Sequence, residues 1–151
     1  MNVDKSEPVF VDTNILLYAN APDQGHKHEL AKELLTRLWT DGNGVISTQV
    51  LQEFFVNLSK HRSTPLDPAT ARAAVENLLT WTVIVNDGRS VLDAIDIQSR
   101  YRLSFWDALI VQAAERAGAT RLYSEDLNEQ YYGEVEVINP LAVTRIHDVD
   151  P

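Results

Sequence analysis

The sequence contains no cysteine, which excludes disulfides, thiolate zinc sites and cysteine nucleophiles and permits a reducing compartment. Long apolar runs are also missing. The longest cover a few residues, far short of the roughly 20 that span a bilayer, and the acidic N-terminus has no signal-peptide pattern. The expectation is a cytoplasmic protein that does not associate with membranes. Basic charge is scarce as well, with 13 Lys and Arg against 22 Asp and Glu and a net charge of -9. A broad basic surface for nucleic acid is therefore excluded, and any phosphate contact must be local. An excess of carboxylates is ordinarily a solvated surface, so the question is whether some of them converge.

A length of 151 residues with 44% hydrophobic content suits one domain around one core. Short apolar runs alternate with helical patterns along the whole chain, which argues for an α/β class built from parallel βαβ units. The strand candidates are Val9 to Asp12, Gly44 to Ser47, Thr82 to Val85, Arg121 to Ser124 and Val135 to Ile138. Leu30, Ala31, Leu34, Leu35, Leu38 and Trp39 line one helical face. Asp67 and Pro68 read as N-cap and first residue of a helix that buries Ala71, Ala74, Val75, Leu78 and Leu79. A further helix from Gly88 to Tyr101 is expected to turn Val91, Leu92 and Ile95 inward, and the one from Ser104 to Ala117 to be covered on most sides. The tail after Asn139 and Pro140 reads as a peripheral arm.

In a parallel sheet the C-terminal end of each strand lies beside the start of the next helix, and ligands bind at that edge. Asp12 ends the first strand. Glu53 lies six residues beyond Ser47 in the following helix, within about 10 Å of the same edge. Asp107 opens the helix that leads into the fourth strand, and Asp126 follows that strand by two residues. Four acids from separate segments thus point to one rim. Singly, each has a structural account: Asp12 as a helix cap, Glu53 as a solvated residue beside Gln49, Asp107 as a first-turn acid capped by Ser104, and Asp126 as part of an acidic turn.

The run Val9-Phe10-Val11-Asp12-Thr13-Asn14-Ile15-Leu16 resembles the opening motif of PIN domains, in which an acid ends the first strand before Thr and Asn. Ile46 to Phe54, with Glu53, resembles the second motif; Leu103 to Ile110, with Trp106 and Asp107, the third; and Leu122-Tyr123-Ser124-Glu125-Asp126-Leu127 the last. Within the family, the chain is most similar to VapC-type toxins of toxin–antitoxin pairs. The resemblance implies a single PIN domain over residues 1–151, with a five-stranded parallel sheet of order 3-2-1-4-5 between layers of helices. It also implies an endoribonuclease dependent on Mg²⁺, with Mn²⁺ as a substitute, whose products carry 5′-phosphate and 3′-hydroxyl ends. Asp12, Glu53, Asp107 and Asp126 would form its catalytic and metal site, with Asn14 and Ser124 orienting carboxylates or bound water. RNA as substrate, a cognate antitoxin and a homodimer are implied in the same way. Hard oxygen ligands suit such a cation.

Other candidates have plainer readings. Asp87 suits a helix N-cap, and Asp93 and Asp96 an exposed helix side. His26, His28, His61 and His147 read as surface residues. Trp39, Trp81 and Trp106 read as core in preference to base-stacking platforms, with Trp106 singled out because it adjoins Asp107. Lys60, His61 and Arg62, or Arg100 and Arg102, are candidates to flank an RNA strand, although helix C-termini favour such charges in any case. Two other classes stay open: a noncatalytic PIN-like module that binds RNA or an antitoxin, and a metal-dependent phosphatase-like α/β domain.

Overall fold

The computed structural model of the protein describes residues 7–60, 64–143 and 145–149. The chain begins with strand β1 (Val9–Val11), whose three residues are buried, as expected of a strand covered on both faces. Helices α1 (Thr13–Ala19) and α2 (His26–Asp41) then lead to β2 (Gly44–Ser47). Helices α3 (Thr48–Lys60) and α4 (Pro68–Leu78) connect β2 to β3 (Thr82–Ile84). Helices α5 (Gly88–Tyr101) and α6 (Phe105–Arg116) return the chain to β4 (Arg121–Tyr123). A hairpin of β5 (Tyr131–Tyr132) and β6 (Val135–Ile138) completes the sheet.

The sheet has six strands in the order β3-β2-β1-β4-β6-β5. The expected five-stranded, all-parallel sheet is corrected by β5, which pairs antiparallel with β6 through Tyr131 opposite Glu136 and Tyr132 opposite Val135. Two residues are too few to show the alternation that marks a strand. The signal lay in the turn: Gly133, at φ 62, is the first central residue of a two-residue connection, the position at which type II′ hairpins need glycine. The other neighbours are parallel, with Val11 opposite Tyr123 and Ser47 opposite Ile84.

Right-handed crossovers place α1 to α4 on one face and α5 and α6 on the other, because the chain moves outward from β1 to β3 and then jumps back to β4. The switch of direction falls between β1 and β4. Phe10, Ile46, Leu122 and Val137 from the strands meet Ile15, Phe54, Ile110 and Val111 from the helices in one continuous core. The segment after Asn139 contributes to it, since Leu141 and Ile146 are buried.

Further sequence expectations reverse on tertiary grounds, among them the burial of Leu79, which is exposed at the end of α4. Helix α5 turns Ser90, Ala94 and Ile97 inward and leaves Val91, Leu92 and Ile95 exposed. Its inner face packs on α6 through small residues, and Arg116 donates to the Ser90 hydroxyl at 2.6 Å and to the Val85 carbonyl at 3.0 Å. His28 is buried, with Nδ1 2.9 Å from the Tyr18 carbonyl, so that this nitrogen carries the proton. Of the tryptophans, only Trp81 is buried. Its ring lies where a Cβ on Gly44 would stand, 2.4 Å from the nearest ring atom, whereas Trp39 and Trp106 are exposed.

Candidate active site

A cleft opens at the C-terminal edge of the sheet, beside the point where the crossovers change direction, and this is where open α/β sheets bind ligands. Its lining includes Asp12, Asn14, Glu53, Asp107 and Asp126, with a volume of about 320 Å³. All four predicted acids therefore face one space.

Asp12 is at its floor and is only 7% exposed. It caps α1, with Oδ1 accepting from the Thr13 amide at 2.7 Å. Oδ2 accepts from the Ser124 hydroxyl at 2.8 Å and from Asn14 Nδ2 at 3.3 Å. Burial pushes the Asp12 carboxyl up to about 6. The Ser124 and Thr13 hydrogen bonds oppose that rise, and the charges of Glu53 and Asp126 add to it. Capping and site membership are thus the same geometry. The parallel register sets Ser124 next to Asp12, since the Asp12 amide continues the ladder to the Tyr123 carbonyl at 2.9 Å.

Asn14 spans the floor. Its Nδ2 also donates to Asp126 Oδ2 at 3.2 Å, and its Oδ1 accepts from the Glu125 amide at 3.0 Å. Ser124 stiffens the same loop, because its hydroxyl oxygen accepts from the Asp126 and Leu127 amides, both at 3.2 Å. Glu53 reaches in from α3. Its two carboxylate oxygens accept from the Thr13 hydroxyl at 2.7 Å and from Gln49 Nε2 at 3.2 Å. Asp107 sits in the first turn of α6, which is held by Ser104 accepting from the Asp107 amide at 3.1 Å.

Sequence reasoning missed Gln49 and Thr13 as parts of this network, although Gln49 stands one helical turn before Glu53, where i,i+4 side chains meet. It also passed over Lys27, which pairs with Glu125 at 2.6 Å beside the Asp126 loop. Of the expected RNA-guiding cations, Arg100 lines a separate cleft between α5 and α6. Lys60 is exposed in the last turn of α3, Arg102 caps α5, and His61 and Arg62 lie outside the described residues. Among the described residues, no Lys or Arg lines the acidic cleft.

The donor set is entirely oxygen, which suits a hard divalent cation. Among the described residues, no three His, Asp or Glu are gathered closely enough to form a ligand cage.

An acidic cleft built from these four segments defines a class, and the comparison with known families agrees. The PIN domain model matches residues 9–132, and the chain belongs to that family. Among solved structures, it is similar to VapC20 of Mycobacterium tuberculosis, described as a sarcin-ricin loop cleaving toxin, at 23% identity and TM-score 0.61 over 78% of this chain and 89% of that one. A toxin–antitoxin complex from Klebsiella pneumoniae matches at 21% identity and TM-score 0.65 over 87% and 97% of the two chains. DNA-bound VapBC from Salmonella typhimurium matches at 18% and 0.63 with the same coverage. These likenesses establish the shared fold. No curated protein sequence matches the chain.

Proposed function

We propose that this protein is a Mg²⁺-dependent endoribonuclease and the toxin of a toxin–antitoxin pair. The observation that carries the reading is the convergence of Asp12, Glu53, Asp107 and Asp126 on one cleft of a PIN domain. Asp12, Asp107 and Asp126 would hold the ion, with Glu53 completing the pocket; Mn²⁺ could replace Mg²⁺. When bound, the ion supplies Lewis-acid stabilisation of charge on a phosphodiester and makes water a better nucleophile. The chain's own residues do the positioning. Ser124 and Asn14 fix the orientation of the Asp12 and Asp126 carboxylates, and Thr13 fixes that of Glu53. The RNA backbone must enter where those acids are neutralised, because no Lys or Arg among the described residues lines the cleft. Two of the similar structures are toxin–antitoxin assemblies, which supports a small cognate antitoxin as partner, and a homodimer is part of the same reading.

A noncatalytic RNA- or antitoxin-binding module is the competing reading, favoured by the dispersion of the acids. Incubating the purified protein with structured RNAs in Mg²⁺ and in chelator, beside an Asp107→Asn control, separates the two. The endonuclease yields Mg²⁺-dependent fragments with 5′-phosphate and 3′-hydroxyl ends, absent in the control. Saturating Mg²⁺ at 100 times its Kd also raises stability by about 2.7 kcal/mol. Absence of both effects would reject the proposal.

A further inference from the structure

The outer wall of the cleft carries one feature that the acid site does not use. Trp106 lines the cleft next to Asp107 and is 63% exposed, the most exposed of the three tryptophans. Its ring is braced edge-on by Phe105, with centroids 5.2 Å apart. Beside it, Gln49 is 95% buried, at 5% exposure, and its Oε1 has no hydrogen-bond partner.

The amide orientation of Gln49 follows from its partners. Nε2 lies 3.2 Å from the Glu53 carboxylate and 3.2 Å from the Trp106 carbonyl. Both groups only accept, so the NH₂ must face them and Oε1 must point the other way. A buried acceptor left without a donor is rare in native structures. The neighbouring Asn57 has its NH₂ committed as well, to the Glu53 carbonyl at 2.8 Å. Gln49 and Asn57 are thus committed to Glu53 and the Trp106 backbone, and the enclosed Gln49 Oε1 is closed to a ligand, so the exposed indole is the face that a substrate meets.

We propose that Trp106 forms a nucleobase-binding platform, on which an unpaired base of the RNA stacks on the indole beside Asp107. An exposed aromatic face selects an unstacked, single-stranded base, because the faces of bases within a duplex are covered by their neighbours. The platform adjoins Asp107, so it sets the register of the strand relative to the acids. This inference rests on the proposed ribonuclease function.

The test combines binding without cleavage and cleavage itself. In chelator, a short oligouridine should quench tryptophan fluorescence of the full chain in a saturable way, and Trp106→Phe should remove most of that quenching. With Mg²⁺ and single-stranded RNA, Trp106→Ala should raise KM about tenfold, the size expected for loss of one stacked base. Trp106→Phe should stay within about threefold of the parent, because it keeps an aromatic face. Quenching that survives in Trp106→Phe, or a KM unchanged in Trp106→Ala while RNA is still cleaved, overturns the platform and leaves the nuclease standing. Saturable Trp106 quenching with no Mg²⁺-dependent cleavage supports the platform and removes the nuclease reading.

Discussion

The two sides of the acidic cleft are built on different principles. On the β1–β4 side, Asp12, Asn14, Ser124 and Asp126 are joined by short hydrogen bonds among groups that the parallel register sets side by side. On the α6 side, Asp107 is placed by the first turn of its helix, and the adjoining wall exposes an indole. The difference separates preorganisation from reception. The first side holds its charge in a fixed, partly desolvated position that costs stability, and the second keeps an aromatic face available to a substrate.

The largest expected effect tests whether both sides serve one chemistry. Asp12→Asn and Asp107→Asn should each lower RNA cleavage by on the order of 100-fold or more, the scale of losing one preorganised electrostatic element. Loss in only one of them, measured on the same RNA, would break the symmetry of the proposed site.

Stability should divide the two sides. The folded chain holds the Asp12 proton at about 6 against an ordinary 3.8, so folded protein binds it more tightly than unfolded. That contribution is fully present below pH 3.8 and is lost as pH rises through about 6, for a total of about 3 kcal/mol. In chelator, Asp12→Asn should therefore overtake the parent protein in melting temperature between pH 4 and pH 7. Saturating Mg²⁺ at neutral pH should reverse the order, because the parent binds the ion more tightly. Equal stabilisation of both proteins by Mg²⁺ would remove Asp12 from the ligand set.

Deleting the network gives the next contrast. Asp12→Ala strands three donors and Ser124→Ala strands the Asp126 and Leu127 amides, so each should cost about 1–3 kcal/mol in urea denaturation, whereas Asp107→Ala should stay within about 0.5 kcal/mol. Ser124→Ala should also raise the Asp12 carboxyl further, because its hydroxyl bond lowers it, and an NMR pH titration reads that directly. The smallest effect is expected from Ser104→Ala, which removes the α6 cap: about 1 kcal/mol in the same denaturation series.

The sequence by itself determined the element order apart from β5, because apolar runs of strand length alternate with helical stripes closed by recognisable caps. Asp67 and Asp87 cap the helices that their positions announced, and Asp12, Glu53, Asp107 and Asp126 were placed at one edge by the rule that strands end where helices begin. Tertiary structure decided what each surface faces. The stripe of Val91, Leu92 and Ile95 marked α5 as amphipathic, yet α6 packs against its small residues instead. Trp106 has the side chain of a core residue, but a helix that starts at the sheet edge has no layer above its first turn to bury it. Periodicity records which residues share a face, and only the packing of distant segments determines whether that face meets protein, water or a substrate.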